Sequence, residues 1–333
     1  MKDSLYSLLM RTVGGLAARG HALGGTVFCF HSITPARAKP QRESGLSVSD
    51  EFIRLLVTRL KQLDIPIVSL DEAIARKRSG RRERFAALTF DDGYRDNGEV
   101  LHPLMERERV PYTIFVTSGL VDGTMPLWWD SIERLVHAQD AMILEGQSVS
   151  LSPDRKDAVL DGLGAAFKAR DAAGQRALLA AIGDANPALA TTDPYGSCLS
   201  WDMLRAMNAS PYLTVGAHTR THPMLSHLSP DAIRDELARS KEEIADRIGC
   251  PVDYLAYPFG QPFEYGPDAP GIAQDVGYAA AFTTSHGDWF DPACGLFTLP
   301  RVLIANKARH PDIPLAYMSP LPRRLKSLVG AFA

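Results

Sequence analysis

The chain has 333 residues, a net charge of -3, 45% hydrophobic and 23% charged residues. These proportions are ordinary for a globular protein of one large domain or two. The balance leaves no basic field, so nucleic acid is not an expected partner. Four cysteines (Cys29, Cys198, Cys250, Cys294) are scattered without a Cys-x-x-Cys pair and read as reduced, mostly buried thiols.

Residues 1–25 mix Leu5, Leu8, Leu9, Met10, Val13 and Leu16 with Lys2, Asp3 and Arg11. Arg11 interrupts the apolar run, so neither a signal-peptide core nor a transmembrane span is written there, and an amphipathic helix is expected. The tail 311–333 carries a basic amphipathic stretch, Pro322 to Val329, with Arg323, Arg324 and Lys326. Both ends could touch a membrane surface, although packing on the domain is the commoner fate. A cytoplasmic, membrane-apposed protein is the expectation.

A first barrel part, 26–121, opens with the apolar run Thr26–Phe30, a strand with His31 at its carboxyl end. Phe52–Leu63 has helical apolar spacing and Ile65–Val68 reads as a short strand. The run Phe85–Phe90 ends in Asp91, Asp92 and Gly93. A buried parallel strand delivers side chains in this way to the carboxyl edge of a sheet or barrel, and Gly93 supplies the turn that follows. Adjacent carboxylates repel unless a positive charge, usually a metal ion, sits between them; alone, Asp-Asp-Gly is also a plain turn or cap. A helix from Tyr94 to Met105 and a strand over Tyr112–Thr117 complete the alternation that a β/α barrel writes.

Over 122–197 the alternation stops. Helical patterns at Trp128–His137, Arg155–Phe167 and Ala172–Ile182 suggest an inserted helical lid, too long for a barrel loop. A second barrel part, 198–310, resumes with an N-capped helix at Leu199–Leu204 and a strand from Leu213 that ends in His218 and His222. Their i, i+4 spacing places both imidazoles on one side of a helical turn, as a divalent metal requires. A lone His-x-x-x-His is often a surface pair; joined to the strand-end carboxylates it makes a two-His, one-carboxylate site with open positions. Ser229-Pro230 then starts a helix through Ile248, ended by Gly249, whose many charges read as a solvated face. Val252–Gly260 is the next strand and turn.

Thr89-Phe90-Asp91-Asp92-Gly93 followed by His218-Thr219-x-x-His222, each after a predicted strand, resembles the first two motifs of the polysaccharide deacetylase family. These are the NodB-homology domains of carbohydrate esterase family 4. The resemblance runs from about Thr26 to about Ile304 and implies an α/β fold, a distorted (β/α)7-type barrel with an inserted helical subdomain. It implies a divalent metal on Asp92, His218 and His222, zinc first, with Ni2+, Co2+ or Fe2+ as alternatives. Asp91 becomes the catalytic base. Ala256-Tyr257-Pro258-Phe259-Gly260 resembles a variant of the third motif, usually Arg-x-Pro-Tyr-Gly, which puts Tyr257 and the Phe259 backbone N–H at the substrate oxyanion. Ala256 stands where the family often has an arginine, and Arg301 is expected to supply that charge from another direction, unless it forms an ordinary surface ion pair. No Leu-x-His motif follows His222, so His31 is assigned the general-acid role, unless it is a histidine hydrogen-bonded at the strand edge. Asp288-Trp289 only echoes the family's Asp-Trp motif.

The activity so implied is metal-dependent N-deacetylation of GlcNAc-type residues of a polysaccharide or glycan precursor, with carbohydrate as the partner. Two alternatives stay open: deacetylation or deformylation of a lipid-linked or small amino sugar, and glycan binding without turnover. Trp128 and Trp129 are either a sugar-stacking platform or core anchors of the insertion.

Overall fold

Apolar runs followed by amphipathic helices leave a strand no solvent-facing side, so such runs assemble as a parallel sheet covered by helices. The computed structural model describes residues 2–19, 24–34, 46–192, 196–305 and 310–319 and shows this arrangement. Seven strands, β1 (Gly25–Phe30), β2 (Phe85–Phe90), β3 (Tyr112–Val116), β4 (Leu213–Ala217), β5 (Tyr254–Ala256), β6 (Ala280–Phe282) and β7 (Val302–Leu303), pair in the order β6-β5-β4-β3-β2-β1-β7. All are parallel. Every residue of β1, β2 and β3 is buried.

From β1 to β6 the order in space follows the order in sequence, so the sheet winds in one direction and curls into a half-barrel with its carboxyl ends on one rim. The two edges approach each other through one segment. Leu299 bridges to Phe282 of β6, and Val302 pairs with Phe28 of β1. Arg301 lies between these two attachments.

Local chemistry explains the flanking helices. Ser49 caps Asp50–Gln62 by accepting from the Phe52 N–H, and that helix buries Phe52, Ile53, Leu56, Val57 and Leu60. Ser200 caps Trp201–Met207 and Ser229 caps Pro230–Ile248, which ends at left-handed Gly249, a conformation that glycine adopts without steric cost. The N-terminal helix, Lys2–Arg19, buries Met10 and meets the helix Asp312–Tyr317 so closely that a Cβ on Gly14 would lie 1.8 Å from the Asp312 carbonyl oxygen. Its other side exposes Leu8, Leu9 and Leu16. Among the described residues no helix is long and apolar enough to cross a membrane. The basic stretch Pro322–Val329 lies outside the described residues. All four cysteines are free thiols.

Three local expectations need correction. Ile65–Val68 makes a single bridge, Ile67 to Ala86, and no ladder, because Pro66 has no N–H to give one. The helix after the Asp pair opens as a π-turn, Asn97–Leu101, before His102–Glu108; Pro103 cannot donate to the carbonyl one turn back. The 122–197 stretch holds helices at Trp128–Ala138, Lys156–Lys168 and Ala172–Ala185 but is not wholly helical. Ala141–Leu144 and Gln147–Ser150 form an antiparallel hairpin over Glu145 and Gly146, both at positive φ, the geometry that suits a two-residue turn. An apolar cluster around Trp128, Ile132, Leu135, Phe167, Leu179 and Ile182 joins this stretch to Tyr94, Leu120 and Cys198 of the barrel parts.

Candidate active site

The site starts where β2 ends. Asp92 and Gly93 both take left-handed backbone angles, φ 73° and 74°. Glycine does so freely; for an aspartate the conformation is unfavourable and persists where the surroundings over-determine it. The reversal sends neighbouring carboxylates to different partners. Asp92 Oδ1 lies 3.4 Å from His218 Nε2 and 3.4 Å from His222 Nε2, and all three residues are buried.

These three residues fit a metal. Two ligand atoms each about 2.1 Å from a tetrahedral ion lie about 3.4 Å apart. Asp92 Oδ1 has no hydrogen-bond partner among the described residues, and a buried carboxylate oxygen left so is costly unless a cation meets it. The His218 Nδ1–H donates to the Ala256 carbonyl at 2.7 Å, which leaves Nε2 as the lone-pair donor facing Asp92. The residue that replaces the family's arginine thus takes part through its backbone. Burial pulls both imidazoles down; the Asp91 and Asp92 carboxylates outweigh it at His218 and raise that ring, while His222 falls to about 3.

His218 and His222 do not share a helical turn. They sit on a loop in which Thr219 and His222 have φ 62° and 52°, and the rings converge because the loop is bracketed. Glu236 accepts from the N–H groups of Arg220 (2.9 Å) and Thr221 (2.8 Å) and from the Thr221 hydroxyl (2.6 Å). Glu243 accepts from Arg220 Nε at 2.8 Å and Ser118 Oγ at 2.6 Å. Two charges of the helix Pro230–Ile248, expected to face solvent, hold the histidine loop instead. Their signal was positional: 236 and 243 flank the buried positions 233, 237, 240 and 244.

Asp91 has a different environment. Arg301 Nη1 donates to its Oδ1 and Nη2 to its Oδ2, both at 2.7 Å. The guanidinium also donates to Thr89 Oγ1 (3.0 Å) and the Thr283 carbonyl (3.1 Å). Arg301 is fully buried, so this is a bidentate internal pair and not a surface one. Burial pushes the Asp91 carboxyl up, but the Arg301 guanidinium outweighs it and holds the group well below the usual carboxylate range. Cys29 Sγ donates to Asp91 Oδ2 at 3.3 Å; burial pushes this thiol up and keeps it a neutral donor. Cys29 is a functional neighbour that no motif marks; the available signal is its position two before His31, on the same side of the strand.

His31 lies in the wall of the cleft. Its carbonyl accepts from Asn97 Nδ2 at 3.0 Å, and Asp96 accepts from Ser32 Oγ and the Ile33 N–H, so the residues after the Asp pair brace the turn after β1. His31 Nδ1 is buried without a hydrogen-bond partner among the described residues, unlike a histidine tied to the strand edge. Burial lowers its imidazole, against the pull of Asp92 and Asp91.

Phe259 and Gly260 turn at positive φ, 61° and 85°, and a Cβ on Gly260 would meet Thr284 N at 2.7 Å. This turn brings Phe259 to the cleft. Tyr257 does not reach it. It is fully buried, stacks on Tyr265 (4.7 Å) and donates to the Phe297 carbonyl at 3.0 Å, because it leaves β5 on the core side. Trp289 is likewise buried, against Phe85 and Phe282. Trp128 is a core anchor, stacked on Phe167 at 4.4 Å, whereas the Trp129 ring lies 4.7 Å from that of His222.

These groups open into a cleft of about 550 Å³. Its barrel side includes His31, Asp91, Asp92, His218, His222 and Phe259; Trp129, Ile132, Leu160 and Lys168 come from the 122–197 stretch. A buried Asp-His-His cluster that could hold a metal ion lies beside a clamped carboxylate on the carboxyl rim of a β/α half-barrel, the rim where such folds keep their chemistry. Residues 78–281 match the polysaccharide deacetylase family, and the chain belongs to it: it is a hydrolase of non-peptide carbon–nitrogen bonds. His31 and Arg301 lie outside the matched residues.

No curated protein matches the chain. Among solved structures it is similar to the Streptococcus pyogenes deacetylase PplD in complex with acetate (TM-score 0.61, 18% identity, 90% of this chain and 100% of that one). It is similar also to a de-N-acetylase from Aggregatibacter actinomycetemcomitans (0.53, 15%, 85% and 95%) and to IcaB from Ammonifex degensii (0.54, 18%, 89% and 97%). At these identities the likeness concerns the fold.

Proposed function

We propose that the protein removes acetyl groups from GlcNAc-type residues of a polysaccharide or glycan precursor, with a divalent metal, zinc by preference, held by Asp92, His218 and His222. The observation that carries this reading is the division between the neighbouring carboxylates. Asp92 presents an unshared oxygen to two imidazole Nε2 atoms, while Asp91 is kept ionised by Arg301. An N₂O donor set with room for a further ligand suits zinc. Bound there, such an ion would polarise the amide carbonyl and make water acidic enough to attack near neutral pH.

The chain's own groups account for the rest. Asp91 accepts the proton of the attacking water, and Arg301 fixes the plane of that carboxylate. The Phe259 N–H, for which no backbone acceptor is present among the described residues, donates to the carbonyl oxygen as it gains charge. His31 delivers a proton to the leaving nitrogen, and since burial keeps the resting ring neutral it first takes that proton from solvent, while Asp91 returns the attacking water's proton to solvent after turnover. A C–O bond forms, the C–N bond breaks, and acetate and a free amine leave. The de-N-acetylase among the similar structures supports an amide as the bond broken.

The test is metal content together with acetate and amine release from N-acetylated amino-sugar oligomers, for wild type and Asp91→Asn. The expected result is metal in both proteins and equal acetate and amine from wild type alone. Formate in place of acetate would make the enzyme a deformylase, and a folded wild type that binds no divalent metal would overturn the reading.

A further inference from the structure

His218 and His222 are oriented by different means. The outer nitrogen of His218 is fixed by the Ala256 carbonyl. The outer nitrogen of His222, Nδ1, is buried and has no hydrogen-bond partner among the described residues. A metal-binding histidine is ordinarily held by a hydrogen bond at its second nitrogen; His222 is surrounded by rings instead. Trp129 lies at 4.7 Å with a 37° tilt, Phe259 edge-on at 4.8 Å and His218 at 4.9 Å.

We infer that Trp129 is the positioning residue for His222, so that the 122–197 stretch completes the metal centre as well as walling the cleft. The inference rests on the Asp92–His218–His222 reading above. Trp129 is anchored on both sides. Its Nε1–H donates to the Tyr94 hydroxyl at 2.9 Å, and its ring packs edge-on against Trp128, which is stacked on Phe167. Tyr94 is two residues beyond Asp92, so one indole touches both ligand-bearing loops. Without a hydrogen bond at Nδ1, little but ring packing resists rotation of His222 about its Cβ–Cγ bond, and such rotation would withdraw Nε2 from Asp92. Flat aromatic contact restricts that motion in a way that apolar bulk alone does not.

The experiment is Zn2+ affinity by competition with a chromophoric chelator, on full-length wild type, Trp129→Phe and Trp129→Leu, with Co2+ absorption spectra as a second readout. Phenylalanine keeps a flat face; leucine keeps bulk without one. Trp129→Leu should bind Zn2+ about 10- to 100-fold more weakly, the usual cost of losing a group that orients a ligand, and should alter the Co2+ ligand-field bands. Trp129→Phe, which keeps a flat face but loses the bond to the Tyr94 hydroxyl, should lose clearly less than Trp129→Leu in both. Leu179→Ala, in the same apolar cluster but away from the cleft lining, should lower Tm and leave Zn2+ affinity unchanged. Wild-type affinity in Trp129→Leu would overturn the inference, as would equal losses in the Leu and Phe variants. No metal binding by wild type would instead overturn the function proposed above.

Discussion

Asp91 and Asp92 are adjacent, equally buried and of the same residue type, yet the two regions they enter are opposites. Around Asp91 every carboxylate oxygen is occupied: two by Arg301 and one also by Cys29. Around Asp92 one oxygen faces two imidazoles and has no hydrogen bond of its own. The first region is closed, a clamp that fixes a charge; the second is open, a set of lone pairs aimed at one point. The contrast teaches that two identical side chains acquire separate roles from their partners, and here the left-handed turn at Asp92 separates them.

Asp92→Asn tests the open region and carries the largest expected effect. It should abolish both metal retention and acetate release, checked by metal analysis and product assay, whereas Asp91→Asn should keep the metal and lose about 10²- to 10⁴-fold in rate. Equal metal loss in both variants would erase the distinction.

Arg301→Met tests the clamp. Removing one partner of a buried pair should cost about 3–5 kcal/mol of stability, read by urea unfolding. Asp91→Asn on that background should recover part of it, because the unpaired charge is gone. The pH dependence has a definite sign. In wild type the Asp91 carboxyl is held low, so its contribution to stability is present above the unfolded-state pKa and is lost as pH falls through the folded one. Without Arg301, burial dominates and the carboxyl rises, so the acid limb of kcat/KM should move to higher pH.

Glu236→Ala sharpens the comparison from a distance by releasing three hydrogen bonds to the histidine loop. A loss of about 1–3 kcal/mol in stability is expected, together with weaker Zn2+ binding and an unaltered acid limb, since the Asp91 clamp is untouched. Cys29→Ala should show the smallest effect, about 0.5–1.5 kcal/mol for one hydrogen bond to Asp91, with metal content unchanged.

Much of the barrel was legible because its signals are local. The strand runs expected at Thr26–Phe30, Phe85–Phe90 and Tyr112–Thr117 correspond to β1, β2 and β3, and Ser200, Ser229 and Gly249 mark helix ends where capping chemistry requires them. Asp91, Asp92, His218 and His222 were readable as strand-end residues with paired spacing. The same spacing misled about local geometry: i, i+4 fits a helical turn, but the histidines converge on a loop bracketed by Glu236 and Glu243. Tyr257 is named by the variant third motif together with Phe259, but the chain turns at Phe259 with positive φ, and Tyr257 stays in the core on Tyr265 while Phe259 lines the cleft. The Glu145-Gly146 hairpin is not legible in the sequence because the helical patterns on either side dominate that stretch.

The sequence by itself determined which side chains reach the barrel rim, since the apolar length of each strand and the residue just beyond it are local facts. The tertiary structure decided which of them meet. Arg301 reaches Asp91 across 210 residues because the Leu299–Leu303 segment is bonded to both β6 and β1. Trp129 reaches His222 because its stretch folds back over the rim. Both contacts depend on how the sheet curls and closes, and no short window of the chain encodes the angle at which its ends come together.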